Sequence, residues 1–352
     1  MRILYGVVGE GMGHATRSRV TIGHLLQQGH HVEIVVSGRA HEMLRKHFGD
    51  VHRIHGWHLV YEDNEVKKTR TAWSNLKALA AGIPRNIAAF DLKGFQPEVV
   101  ISDFESWSYL FGMANHIPVI SIDNMQIISR CFHENAVLTD YMTEFLLAKG
   151  IVKSKLPGAH HYVITTFFYP EVRKERTTLV PPILRPEVLA AQASQGEHVL
   201  VYSSADSADT LQEVLKSFPD QSFIVYGIRR GISQVETDAN LSHQPFSEDG
   251  FIAHLASARA VIAGGGFSLM GEAVYLHKPL LSVPLVGQFE QILNARYLQK
   301  LGYGLHRDEV SHADVAELLA RSDEFRNNLA AYRQDGNAKL FETVDALLAE
   351  LA

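Results

Sequence analysis

The chain has one cysteine, Cys131, in 352 residues, so it can form no internal disulfide and no cysteine-based metal cluster. A single thiol fits a reducing compartment, and a cytoplasmic protein is expected. Positive charge is also in short supply. The 33 Lys and Arg against 39 Asp and Glu leave a formal net charge of −6, which excludes nucleic acid as the main partner. No apolar run reaches the ~18–20 residues that cross a bilayer. The first residues, Met1–Val8, are broken by Gly9-Glu10-Gly11 too early for a signal peptide and read as a strand. There is no Asp-x-Asp metal triplet; Asp206 and Asp209 come nearest to one.

Two crowded segments carry little chemistry. His30, His31, His41, His47, His52, His55 and His58 share one region, but no pair has a ligand frame with a carboxylate. Trp57, Trp73, Lys67, Lys68 and Arg70 make a basic, aromatic set. A plain surface loop is the better reading of that set, with a peripheral contact to anionic lipid at the inner face of a membrane left open.

What the chain does have is a repeated α/β rhythm. Short Val- and Ile-rich runs at Ile3–Val8, His31–Val36, Val99–Ile101 and Pro118–Ile122 read as buried parallel strands. Thr16–Gln28 has helical spacing and ends at Gly29, and Phe104–Asn115 reads as a further helix. A proline-rich shift at Pro170–Pro186 interrupts the pattern, which then restarts at His198–Tyr202, Ser222–Tyr226, Ala260–Ala263 and Leu280–Val283. The length favours two domains. The expected division is 1–170, a connection over 171–186, and 187–352. The helical segment Asp323–Leu351 is a candidate to cross back onto the first domain. Two doubly wound α/β domains facing a cleft is the expected architecture.

The glycine-rich turns lie at strand ends. The first strand runs into Gly9-Glu-Gly-Met-Gly-His-Ala-Thr-Arg17, where Gly11 and Gly13 allow a ligand to approach the start of a helix. The spacing is G-x-G-x-G, not the dinucleotide G-x-G-x-x-G, and no acidic residue ends the second strand, so a dehydrogenase is a distant reading. His14 closes this loop and is a candidate general base. Asp103 ends another strand; it could orient His14, act as the base itself, or simply cap the following helix. Glu105 is a weaker substitute, and Asp123-Asn124 is placed to line an acceptor.

In the second half, Ser203 and Ser204 precede a helix and suit a diphosphate, though they are also ordinary capping residues. Phe246 is a candidate neighbour of a nucleotide base. The stretch Ala263-Gly264-Gly265-Gly266-Phe267-Ser268-Leu-Met-Gly-Glu272 follows a strand with glycines and bare helix-start amides, suited to phosphate. Glu272 can accept from both hydroxyls of a ribose. Downstream, Glu290, Gln291 and Asn294 are groups that hydrogen-bond sugar hydroxyls.

Together, Gly9–His14 and Gly264–Asn294, with Pro279 and Pro284 between Glu272 and Glu290, resemble the GT-B glycosyltransferases. Within them, the likeness is specifically to the family 28 group of MurG and the monogalactosyldiacylglycerol synthases. The resemblance implies two Rossmann-like domains, the first holding the acceptor and the second the nucleotide-sugar. It also implies an inverting, metal-independent transfer whose only small-molecule helper is the nucleotide-sugar co-substrate. By the same resemblance Glu272 binds ribose, Glu290 and Gln291 contact the donor sugar, and His14 is the histidine of the N-terminal loop. The chain departs from that pattern at Ser203-Ser204-Ala205, where the group has a glycine-rich diphosphate loop. The expected reaction is transfer of a sugar, with UDP the expected nucleotide, to a hydroxyl on a glycan, lipid or small molecule. A nucleotide-sugar 2-epimerase and a non-catalytic nucleotide-sugar binder are the rival readings.

Overall fold

The computed structural model describes residues 1–9, 12–54, 61–62, 65–66, 94–203, 208–229 and 231–352. Trp57, Trp73, Lys67, Lys68, Arg70, His55, His58, Gly11, Ser204 and Asp206 lie outside the described residues.

The apolar runs of the first half form one sheet. Its strands are β1 (Arg2–Val7), β2 (His31–Val36) and β3 (Val51–Arg53), then, beyond a small antiparallel pair β4 (Tyr61–Glu62) and β5 (Glu65–Val66), β6 (Val99–Asp103), β7 (Val119–Asp123), β8 (His161–Thr165) and β9 (Thr177–Val180). Their order is β3-β2-β1-β6-β7-β8-β9, all parallel. Helices α1 (Met12–Gln27), α2 (Ala40–Arg45), α3 (Ser106–Ala114), α4 (Ile127–Arg130), α5 (Asn135–Leu138) and α6 (Met142–Lys155) connect and cover them. Helix cover on both faces explains why β1, β6 and β7 read as unbroken Val and Ile runs and not as alternating ones. Past α1, Gly29 takes φ +79, the left-handed turn a side chain would resist.

The second half repeats the plan. After α7 (Pro186–Ala190), the elements are β10 (Val199–Tyr202), α8 (Ala208–Lys216), β11 (Phe223–Tyr226), β12 (Glu236–Asp238), β13 (Leu241–His243) and α9 (Glu248–Ser257). They continue as β14 (Ala260–Ala263), α10 (Phe267–Tyr275), β15 (Leu280–Ser282), α11 (Phe289–Lys300), β16 (Gly304–His306), α12 (His312–Leu329) and α13 (Ala338–Leu351). The sheet order is β12-β13-β11-β10-β14-β15-β16, with only β12 antiparallel to its neighbour.

The segment 171–186 contributes β9 to the first sheet before the chain crosses over through Pro181 and Pro182. The terminal segment is two helices, not one, and the second of them, α13, lies on the first sheet. Its Leu340, Val344, Leu347 and Leu348 share an apolar cluster with Ile3, Tyr5 and Leu25, and its Phe341 stacks on His24 at 4.0 Å.

A further apolar cluster runs unbroken from the first sheet into the second. Phe168 stacks on Tyr297 at 4.0 Å, Phe167 on Phe267 at 6.1 Å, and Phe145 leans on Phe289 at 5.6 Å. Truncating a buried phenylalanine of this kind costs about 3–5 kcal/mol. The aromatic bridge therefore holds the two sheets in register across the cleft. Among the described residues no helix is long and apolar enough to cross a membrane.

Candidate active site

In each sheet the strand order reverses between two neighbours, β1/β6 in the first and β10/β14 in the second. Open parallel sheets bind ligands in the crevice at that reversal, beyond the carboxyl ends of the strands. The two crevices face each other, and the candidate residues lie at these strand ends and at those of β7 and β15 beside them.

From the first sheet come His14 and Asp103. α1 starts at Met12, so His14 sits in its first turn, while Asp103 is the last residue of β6 and fully buried. His14 Nδ1 lies 2.9 Å from Asp103 Oδ1. A helix cap was one reading of Asp103, but Glu105 does that work. The Glu105 carboxylate accepts from Trp107 N at 2.8 Å and Ser108 N at 2.6 Å, and Glu105 is the N-cap of α3. Phe104 between them takes φ +54, a left-handed backbone that turns the chain sharply after the strand. Asp123 likewise closes its own turn, accepting from Ser121 Oγ and Gln126 N.

Arg17 closes the Gly9–Arg17 stretch without a sequence signal of its own, and the structure puts it at the centre. Its Nε donates to Asp103 Oδ2 at 2.8 Å and its Nη2 to Asp103 Oδ1, while Nη1 donates to Asn124 Oδ1 at 2.6 Å. Ser18 Oγ adds a donor to Asp103 Oδ2 at 2.9 Å. Burial alone would raise the Asp103 carboxyl, but the charges of Arg17 and His14 outweigh it and hold it well below the usual range. Burial, then the charge of Arg17, makes the His14 imidazole less basic than usual, against the pull of Asp103.

From the second sheet come the glycine turn and α11. α10 starts after Gly266 with no side-chain cap, so its first N–H groups are left to a ligand or solvent. Gly265 is required by closeness, since a Cβ there would stand 2.5 Å from Gln291 Cβ and the Gln291 carbonyl oxygen. Gln291 Oε1 accepts from Gly265 N at 3.3 Å and Leu285 N at 3.0 Å, so its carbonyl end holds the loops. The starts of α1 and α10 meet, Ser268 Oγ donating to the Gly13 carbonyl at 3.3 Å.

Glu290 faces the first half. Its Oε1 accepts from Asn124 Nδ2 and from Asn294 Nδ2, each at 2.6 Å, and Asn294 also donates to the Gly265 carbonyl at 3.1 Å. An unbroken chain of polar contacts thus runs His14–Asp103–Arg17–Asn124–Glu290–Asn294. Burial pushes the Glu290 carboxyl up to about 7.

Glu272 lies deeper, buried on α10, and its two oxygens accept from Arg185 Nε and Nη2, both at 2.8 Å. Arg185 also donates to Glu248 at 2.8 Å, and Arg19 of α1 bridges Glu248 and Glu187. Arg185 was not singled out in the sequence, because it falls where the chain reads as a connection. Ser203 follows β10 and its amide donates to the Tyr226 carbonyl at 3.2 Å. Phe246 is 82% exposed, just before the Ser247 cap of α9.

The comparison with known proteins bears on the family and the fold. The glycosyl transferase family 1 profile matches residues 1–322. The chain belongs to glycosyl transferase family 1. It is 26% identical over 333 residues to an uncharacterized glycosyltransferase of Methanosarcina mazei, covering 86% of this chain and 85% of that one. A shorter match, 21% over 201 residues, is to a UDP-N-acetylglucosamine–N-acetylmuramyl-(pentapeptide) pyrophosphoryl-undecaprenol N-acetylglucosamine transferase of Bacillus cereus. It covers 50% of this chain and 56% of that protein. Among solved structures, the calicheamicin glycosyltransferase CalG4 superposes with a TM-score of 0.66 over 100% of this chain and 99% of that one, at 16% identity. A UDP-glucosyltransferase of Polygonum tinctorium gives 0.67 over 99% and 98%, at 13% identity. The fold is GT-B, two Rossmann-like sheets about a cleft, and this family 1 member is a glycosyltransferase.

Proposed function

We propose that the enzyme moves a sugar from a nucleoside-diphosphate sugar to a hydroxyl acceptor, with inversion and without a metal ion. The observation that carries this reading is the polar chain joining His14 and Asp103 on one wall of the cleft to Glu290 on the other. His14 Nε2 takes the acceptor hydroxyl proton as the oxygen attacks the anomeric carbon, and the bond from that carbon to the diphosphate breaks. The electron pair leaves with the nucleoside diphosphate. Charge growing on that group is met by backbone N–H groups at the start of α10, by Ser268 and by Ser203, in place of a cation.

In this reading the first half, 1–170, presents the acceptor and the second, 187–352, holds the donor. Gly264, Gly265 and Gly266 with Phe267, and Gly13 opposite, line the diphosphate. Glu290 and Gln291 take the donor sugar, and Phe246 lies beside the base. Glu272 receives the ribose on lone pairs that Arg185 leaves unused, since a carboxylate offers about four acceptor sites. UDP is favoured because the Bacillus cereus and Polygonum tinctorium proteins carry it in their names. The lone cysteine suits a cytoplasmic setting. Any contact with the membrane there would rest on Trp57, Trp73 and their basic neighbours.

The test is a reaction with UDP-, dTDP- and GDP-sugars and a panel of hydroxyl acceptors, with and without a chelator. Nucleoside diphosphate release that depends on acceptor, survives the chelator and yields the inverted anomer is the expected result. Epimer and free nucleotide without acceptor would replace this reading with the epimerase.

A further inference from the structure

A histidine base backed by an aspartate ordinarily gains basicity from the carboxylate, which also fixes the proton on the ring nitrogen facing it. The cleft of this enzyme is built differently. Arg17 Nη2 stands 2.7 Å from His14 Nδ1, closer than the 2.9 Å of Asp103 Oδ1 to the same nitrogen. A guanidinium carries only donors and does not lose its proton in proteins. Nδ1 can therefore satisfy Arg17 only with a lone pair, and Asp103 only with a hydrogen. It cannot do both.

Two neutral forms follow. With the hydrogen on Nδ1, the ring donates to Asp103 and leaves Nε2 as a proton acceptor. With the hydrogen on Nε2, Nδ1 accepts from Arg17 and the ring can only donate outward. The doubly protonated ring meets the guanidinium with two like charges in contact. Asp103 does little to offset this, because its oxygens already accept two donors from Arg17 and one from Ser18. The charged groups facing the imidazole are Arg17 from its own helix, Asp103 from β6 and Lys155 from the end of α6, two cations to one anion.

We propose that Arg17 is a positioning residue that keeps His14 neutral and governs which ring nitrogen holds its proton, by drawing the charge of Asp103 onto itself. The inference deepens the role of His14 as base and rests on that reading for its catalytic meaning. Its physical content, the state of the ring, does not depend on transfer. Arg17 does not touch the reacting atoms; it lies buried behind the ring on the next turn of α1.

Nitrogen-15 NMR of the full chain, with the His14 signals assigned by loss in His14→Gln, reads the titration and the tautomer without any substrate. The wild-type His14 midpoint is expected below the ordinary histidine value of ~6.5. Arg17→Gln is expected to raise it by at least about one unit, a tenfold change in the protonated fraction at a given pH. Arg17→Lys, which keeps the charge but loses the fork, should fall between the two. If an active donor and acceptor are in hand, the acid limb of kcat/KM should move by the same amount. Should Arg17→Gln fail to fold, the wild-type midpoint alone decides. A value above the ordinary one, as a plain histidine–aspartate pair gives, overturns the inference, and so does a midpoint that Arg17→Gln leaves in place. A low midpoint in an enzyme whose transfer survives His14→Gln would uphold the inference and sink the base assignment.

Discussion

Asn124 stands between the two walls of the cleft, its carbonyl oxygen accepting from Arg17 and its amide donating to Glu290, both at 2.6 Å. Glu290 is held by amides rather than by a cation, and burial pushes its carboxyl up to about 7. A folded value above the unfolded one means that the native state binds the extra proton. Its stabilising effect is complete below about pH 4.5 and is lost as the pH rises through 7. Equilibrium denaturation at several pH values should show a loss of roughly 3 kcal/mol across that window. Glu290→Gln should flatten it, and an identical decline in the variant would contradict the assignment.

His14→Ala removes the base and little of the packing. We expect kcat to fall by about 10²–10⁴-fold with the donor KM within about twofold. Thermal unfolding should hardly move. A donor KM that rises as steeply as kcat falls would mean that His14 binds the donor instead.

Asp103→Asn has the opposite signature. It leaves Arg17 buried without its counter-charge, a change that typically costs about 3–5 kcal/mol. Urea denaturation should therefore rank this variant well below His14→Ala in stability. In the wild type the depressed Asp103 carboxyl contributes stability at neutral pH. That contribution disappears as the pH falls below the ordinary carboxylate range and through the depressed folded value.

The glycines before α10 should separate cleanly. Gly265→Ala drives a Cβ against the backbone of α11, whereas a Cβ at Gly266 meets nothing within 4 Å. Gly265→Ala should destabilise the second half and abolish nucleotide-sugar binding in calorimetry. Gly266→Ala should fold with wild-type stability. Equal behaviour of the two variants would show that the approach of the α11 start to this turn does not shape the site.

Much of this was legible in the chain. Unbroken Val and Ile runs mark strands covered on both faces, so β1, β2, β6, β7, β10 and β14 could be placed with their ends within a few residues. Glycines and His14 at a strand end mark a ligand edge because that edge is a property of the parallel sheet itself. The partners were not legible. Arg17 meets Asp103 86 residues away and Asn124 reaches Glu290 across 166, separations that no local pattern encodes. The cap of α3 is left open by the sequence for a smaller reason. The left-handed turn at Phe104 carries the chain two residues past the strand end before the helix begins, so Glu105 receives the amides that Asp103 would otherwise have met. Arg185 was hidden by its position among prolines, where sequence predicts a connection and the fold places the partner of Glu272.

In the proposed function, the Gly264–Glu272 half of the cleft binds a nucleotide-sugar. It is tested most directly by thermal unfolding of the wild type and of Glu272→Ala with UDP-, dTDP- and GDP-sugars, each compared with its own ligand-free form. A donor at 100 times its dissociation constant stabilises by ~2.7 kcal/mol. Such a gain is expected for one nucleotide class in the wild type and none in Glu272→Ala, whatever that variant's starting stability. The same gain in both proteins, or no gain with any donor in the wild type, would contradict it.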